Sequence, residues 1–260
     1  MTAVFPYSED YYAERHQRTL HAASEVLSRV LDVLPEVHSA VDFGCGVGTW
    51  LSVLSEMRSV SRVHGLDGDW VNTDLLEIAR ESFQNVNFEE PIRLEGKYDL
   101  AISLEVAEHL SADCSTDFVC SLASASDFIL FSAAIPFQSG RGHVNEQWPE
   151  YWVAKFEENG FVCLDFIRQQ IWNDDAIPYW YRQNVLLFVK REMCSRLRIP
   201  DATQLAPDVP ASLVHPDMLL TRMGHALSQR EHSASLGGSW KLFRRALVRR
   251  AKDAFRTKSD

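Results

Sequence analysis

Apolar residues recur at three- and four-residue steps along residues 11–34, through Leu20, Ala23, Val26, Leu27, Val30, Leu31 and Leu34. That spacing puts them on one face of an amphipathic helix, and Pro35 ends it because its ring nitrogen has no hydrogen to donate. Beyond it the period changes. Short β-branched or aromatic runs at residues 40–43, 63–66, 98–104, 128–134, 161–166 and 185–190 predict strands. Helical patterns fall between them, at residues 49–57, 73–83, after Val106, and at 147–159. Strand alternating with helix at this spacing implies parallel βαβ units with right-handed crossovers. The expected fold class is doubly wound α/β.

After Lys190 the pattern fades. Residues 199–217 contain Pro200, Pro207, Pro210 and Pro216 with little periodicity, as a linker does. The last segment regains a helical period, with Trp240, Phe243, Leu247, Ala251 and Phe255 on one face and most of its cations elsewhere. The expected organisation is an N-terminal helix (1–35) packed on a domain (36–192), an irregular linker (193–238) and a basic amphipathic helix (239–260).

Charge sharpens that division. The composition, 46% hydrophobic and 24% charged, is ordinary for a globular chain and excludes a collagen-like or wholly disordered one. The formal charge of −10 is unevenly spread: residues 240–260 hold eight Lys/Arg against two acids, so the preceding 239 residues carry −16. A body this acidic has no clustered cations with which to neutralise phosphates, so general nucleic-acid binding is not expected. The basic helix alone suits an anionic membrane surface or a partner protein, or docks its apolar face on the domain. Cys45, Cys114, Cys120, Cys163 and Cys194 are odd in number and form no C-x-x-C pair, as expected of reduced thiols. The N-terminus lacks the basic and apolar regions of a secretory signal. The longest apolar-leaning stretch, 128–140, is broken by Pro136 and falls short of the roughly 20 residues a bilayer crossing requires. A cytoplasmic protein is expected, at most peripheral at the inner membrane.

The strongest chemical signal is Val41-Asp42-Phe43-Gly44-Cys45-Gly46-Val47-Gly48-Thr49-Trp50, after a predicted strand and opening a helix. Glycines allow positive φ and a close ligand approach, and the helix start offers unpaired N–H groups. A dinucleotide fingerprint wants glycine where Thr49 stands. Asp42 would repel a pyrophosphate, whereas a carboxylate favours an ammonium or sulfonium.

Asp42-x-Gly44-x-Gly46-x-Gly48 resembles the first motif of the class I S-adenosylmethionine (SAM)-dependent methyltransferases, over roughly residues 10–190. The resemblance implies a Rossmann-like, seven-stranded, mostly parallel sheet whose last strand is antiparallel, with SAM as cofactor. It implies a donor site of Asp42, Gly44, Cys45, Gly46, Gly48, Asp67, Gly68, Asn87 and Glu105. Within it Asp67 would bind the ribose hydroxyls, Asn87 would accept from the adenine amine in place of the usual Asp, and Glu105 would lie beside the methyl donor. Asp99 is read as a strand-entry turn residue.

Glu105, Glu108 and His109 have the spacing E-x-x-E-H, which on a helix shares one face. Small-RNA 2′-O-methyltransferases and some quinone O-methyltransferases are similar here and hold a divalent metal; Glu105, Glu108, His109 and His143 are the corresponding candidates. The metal is a secondary expectation.

The polar, Gly-rich loop Phe137-Gln138-Ser139-Gly140-Arg141-Gly142-His143-Val144-Asn145-Glu146-Gln147-Trp148-Pro149 follows a core strand and would overhang the same edge. Methylating a hydroxyl needs its proton removed, and histidine is suited to that. His143 is the expected base, with Glu146 orienting it or binding substrate. This loop, with Tyr151-Trp152 and Trp180-Tyr181-Arg182-Gln183-Asn184, is similar to a bacterial subgroup associated with polysaccharide or glycoside biosynthesis; those aromatics suit either sugar rings or the core. O-methylation of a sugar, glycoside or related small molecule is expected. The alternatives are a metal-assisted enzyme acting on an RNA 2′-hydroxyl or a quinone-type acceptor, an NAD(P)-dependent nucleotide-sugar oxidoreductase, and a non-catalytic SAM-binding partner of a biosynthetic complex.

Overall fold

The structure, a computed structural model, describes residues 9–57, 60–198 and 212–234. Within them β1 (Ser39–Phe43), β2 (Arg62–Asp67), β3 (Phe83–Asn85), β4 (Leu100–Leu104), β5 (Phe128–Ser132), β6 (Phe161–Leu164) and β7 (Leu186–Lys190) form one sheet in the order β3-β2-β1-β4-β5-β7-β6. β7 runs antiparallel to β5 and β6, and the other pairings are parallel. The helices are α1 (Glu9–Val33), α2 (Thr49–Met57), α3 (Ser115–Ala125), α4 (Pro149–Glu158), α5 (Ile167–Ile171), α6 (Tyr179–Asn184) and α7 (Pro216–Ala234). The expected Rossmann-like architecture is present.

Two hydrophobic layers explain why the strands read as continuous apolar runs. Successive residues of β4 and β5 point to opposite faces and both faces are covered. Leu100, Ile102 and Leu130 join the buried side of α1, with Ala23, Val26, Leu27 and Val30. Ala101, Ile129 and Phe131 join Phe118, Trp152, Phe156 and Phe188 on the other face. Strand order reverses between β1 and β4, where open α/β sheets bind ligands at their carboxyl edge. Asp99 acts as a strand-entry residue: its Oδ2 accepts from the backbone N–H of His38 and Ser39, each at 2.9 Å.

Several expectations need correction. No helix spans 73–83. Short 3-10 turns at Thr73–Leu75 and Arg80–Ser82 stand there, because Glu77 N–H donates to the Val47 carbonyl at 2.7 Å instead of to its own turn. β3 is a strand the sequence pattern did not predict, since its three residues, Phe-Gln-Asn, bury little at the sheet edge. The stretch after Val106 begins as 3-10 turns at Ala107–His109 and Ala112–Cys114 before α3 starts. Residues 193–238 are not irregular throughout, for they contain α7.

The chain divides into two compact units, Met1–His215 and Pro216–Asp260. His215 closes the first, its N–H donating to Gln183 Oε1 at 2.8 Å. The expected basic helix 239–260 lies outside the described residues. Among those described, no helix is long and apolar enough to cross a membrane, and the five cysteines form no disulfide.

Candidate active site

At the carboxyl end of β1 the chain turns through Gly44, Gly46 and Gly48, all with positive φ. At Gly44 (φ 90°) a Cβ would meet Val106 Cγ2 at 2.3 Å, so both conformation and space exclude a side chain. The loop is hooked to β2: Gly44 and Cys45 N–H donate to the Leu66 carbonyl at 2.8 and 3.1 Å. Asp67 completes the hook, with Oδ2 accepting from Gly46 N–H and Oδ1 from Gly68 N–H, both at 2.7 Å.

Asp42, paired in register with Gly65 and Ile102, is buried beneath this loop. Burial, and then the Asp67 charge, raise its carboxyl well above the usual range. The Cys45 thiol is raised by burial and by Asp42 and Asp67, so it is no nucleophile. The floor of the loop is thus acidic, with the neutral form of Asp42 favoured by its surroundings. Asn87 is exposed and closes a local turn, its Oδ1 accepting from Glu89 N–H at 3.2 Å and its Nδ2 donating to Glu90 Oε1 at 3.2 Å.

Glu105, just past β4, adopts a left-handed φ of 58°, unusual for a residue with a Cβ. That turn aims its carboxylate at two buried amides. Gln138 Nε2 donates to Oε2 at 2.7 Å and Asn184 Nδ2 to Oε1 at 3.0 Å. Gln138 Oε1 in turn accepts from Asn184 Nδ2 at 2.8 Å and Gln183 Nε2 at 3.1 Å. Burial raises the Glu105 carboxyl, opposed by hydrogen bonds from Asn184, Ser132 and Gln138 and by the nearby His143. Sequence reasoning missed Gln138 and Asn184 as partners of Glu105. The available signal was a pair of amides, Gln183 and Asn184, directly before an apolar strand.

The loop after β5 is folded around one carboxylate. Glu146 accepts from Phe137 N–H (2.9 Å), Ser139 N–H (2.5 Å) and His143 Nδ1 (2.9 Å). Its far end is tied down as Val144 and Asn145 N–H donate to the Glu108 carbonyl at 2.9 and 3.0 Å. His143 Nε2 lies 3.9 Å from Glu108 Oε1, and the ring meets His109 edge-on with centroids 4.8 Å apart. Gly140 leaves room for this ring, since a Cβ there would sit 2.1 Å from Nε2. A neutral imidazole that donates Nδ1–H to Glu146 keeps the Nε2 lone pair available as a base. A cavity of about 370 Å³ is lined by Ser139, Gly140, His143, Val144 and Glu146.

The four-residue metal set is corrected in part. Glu108, His109 and His143 each bring a donor atom within 4.8 Å of the others. Glu105 does not join them, because residues 105–109 are not an α-helix and its oxygens are turned to Gln138 and Asn184. The aromatics weighed as a sugar platform pack largely inward. Trp152 lies on Phe131 at 5.4 Å and Tyr181 on Trp50 at 5.3 Å between centroids, and both are buried.

Comparison with known proteins gives the family to which this fold belongs. No curated protein matches the chain. Among solved structures, an amino pentose methyltransferase from Micromonospora echinaspora, SAM-bound and involved in calicheamicin biosynthesis, is 14% identical with a TM-score of 0.52, covering 71% of this chain and 98% of that one. Magnesium protoporphyrin IX methyltransferase from Synechocystis with bound SAM is 20% identical with a TM-score of 0.48, covering 68% and 80%. At such identities the first likeness speaks for the fold alone. A family model described as a methyltransferase domain matches residues 12–164, more than half of the chain. The chain therefore belongs to the methyltransferase-domain family, the class I SAM-dependent methyltransferases.

Proposed function

We propose that the enzyme transfers the methyl group of SAM to a hydroxyl of a sugar, glycoside or related small molecule, with His143 as general base. The observation that carries the reading is the Glu146–His143 pair on the wall of the cavity, at the same sheet edge as the Gly44–Gly48 loop. SAM supplies an electrophilic methyl group on a sulfonium. Burial raises both Asp42 and Glu105 in the unliganded chain, and a cation beside them favours their ionised forms. Asp67 uses one lone pair of each oxygen on Gly46 and Gly68, and a carboxylate has further lone pairs for the ribose diol. Gly44, Gly46 and Gly48 let the backbone approach the donor closely, Cys45 and Gly68 contribute loop backbone, and Asn87 lies at the adenine end.

On the acceptor side, His143 Nε2 takes the hydroxyl proton as the oxygen–carbon bond forms and the carbon–sulfur bond breaks. Glu146 holds the ring in the tautomer that makes this possible and stabilises the imidazolium that results. Much of the acceleration comes from positioning, because the transfer is in line. His143→Ala tests the assignment: turnover should fall by about 10²–10⁴-fold while SAM affinity is kept. Full activity would eliminate His143 as base.

The metal-assisted reading is favoured by one observation, the convergence of Glu108, His109 and His143. A divalent ion held there would acidify the hydroxyl directly. Activity surviving EDTA would retire it, and loss restored by added Mg²⁺ or Mn²⁺ would establish it. The oxidoreductase alternative falls with the family assignment.

A further inference from the structure

Two apolar side chains in the loop that carries His143 contribute little to the fold. Phe137 is 81% exposed and Val144 68% exposed. Phe137 also adopts a φ of 69°, a conformation that bulky residues rarely take and that costs backbone strain. The strain is imposed by Glu146, whose Oε2 accepts the Phe137 N–H. Val144 is fixed in the same way by the Glu108 carbonyl, and its side chain lines the cavity. The backbone of each residue is thus hydrogen-bonded in place, and both side chains are exposed on the loop that carries His143. The other side chains of the cavity wall, Ser139, His143 and Glu146, are polar, and Gly140 completes the lining.

A polar cavity with Val144 in its lining, and with the exposed Phe137 two residues before the lining Ser139 in the same loop, fits a ligand divided in the same way. We infer that the methyl acceptor is amphipathic: its hydroxyl-bearing end enters the polar cavity beside His143, and an aromatic or alkyl substituent next to it lies on Phe137 and Val144. This rests on reading the 137–147 loop as the acceptor side of the enzyme. The class of acceptor is then a substituted glycoside rather than a free sugar, and Phe137 and Val144 discriminate between them by removing the substituent from water.

The test compares matched pairs, methyl and phenyl β-D-glucopyranoside and the corresponding galactosides, by calorimetry on the full chain saturated with S-adenosylhomocysteine. In at least one pair the phenyl member should bind about tenfold more tightly, the gain given by burying one small aromatic group. The double variant Phe137→Ser/Val144→Ser should reduce that preference to about twofold, with folding spared because both side chains are exposed. Phe137→Gly should lose most of the preference while its melting temperature stays level or rises, since glycine relieves the strained φ. Equal affinities in every pair, a preference that survives in the double variant, or a fall in melting temperature for Phe137→Gly would overturn the inference. So would binding to phosphatidylcholine vesicles that the double variant abolishes, for it would assign the two side chains to a lipid surface. Binding is read here without turnover. A phenyl preference with no methylated oxygen would defeat the base-catalysed reading and leave this one standing, and methylation without the preference would do the reverse.

Discussion

The two loops proposed as the donor and acceptor sides both depend on left-handed backbone, but they reach it by different means. At the donor loop the positive φ values belong to Gly44, Gly46 and Gly48, residues for which that conformation is nearly free. At the acceptor loop they belong largely to Phe137 and Ser139, where it is not, and the Glu146 carboxylate holds both through their N–H groups. One loop is shaped by what its residues lack, the other by what a side chain nine or seven residues away supplies. The first should not tolerate added atoms at Gly44 or Gly48, where a Cβ would collide with Val106 or Ile78. The second should tolerate them but fail when its clamp is cut.

Among changes that test this contrast, the largest effect should come from adding a single carbon to the donor loop. Gly44→Ala drives a Cβ into Val106 and forces an unfavourable φ, so SAM affinity should fall by at least about 100-fold and stability by about 2–3 kcal/mol. Calorimetry and denaturant titration measure the two. If SAM still binds normally, the loop is less rigid than its hydrogen bonds indicate, and the contrast with the acceptor loop collapses.

Next in size is the clamp. Glu146→Gln keeps the shape of the side chain but removes the charge that steadies the His143 imidazolium and accepts three donors. Turnover should drop by roughly 10–100-fold, less than for loss of the base itself, with SAM affinity within about twofold of the parent. A parallel loss of SAM binding would mean that the two loops are not separable.

Asp67→Ala completes the contrast from the other side. It removes the hook to Gly46 and Gly68 and the acceptor we propose for the ribose diol. Loss of charge-assisted hydrogen bonds at about 1.5–3 kcal/mol predicts a SAM affinity roughly 10- to 100-fold lower. Single-turnover rates at saturating SAM should change far less. Unchanged affinity would refute the ribose assignment.

The same contrast explains what was legible beforehand. The helix at Thr49–Met57 and the strands β1, β2, β4, β5, β6 and β7 follow from local periodicity, and the donor loop from glycine spacing, all features of contiguous residues. The segment 73–83 was not legible, because its backbone is satisfied by Val47 and its Ile78 packs beside Gly48. The setting of Glu105 was not legible either. Gln138 and Asn184 come to it from 33 and 79 positions away, and nothing local in an amide marks it as the partner of a distant carboxylate. His143 and Glu146 were found as residue types in a suitable loop; that Glu146 also organises Phe137 and Ser139 emerges only from the fold.

The smallest effect concerns Asp42, buried beneath the donor loop. Its folded-state pKa is raised, by burial first and by Asp67 second, so ionising it opposes folding of the unliganded chain. The stabilisation from protonation is complete below the ordinary aspartate value and is lost as pH rises through the raised one. Asp42→Asn cannot ionise, so at neutral pH it should be more stable than the parent, with the gap closing as pH falls into the ordinary carboxylate range. SAM affinity should move the opposite way: in the parent it rises with pH as Asp42 ionises beneath a cationic ligand, whereas in the variant it is weaker and flat. Denaturant melts and SAM titrations of both proteins across that range measure the two slopes. A variant no more stable than the parent at neutral pH would show that the buried charge is already compensated by the loop. The donor loop would then be shaped by Gly44 and its neighbours alone, without strain stored in its floor to match that stored at Phe137.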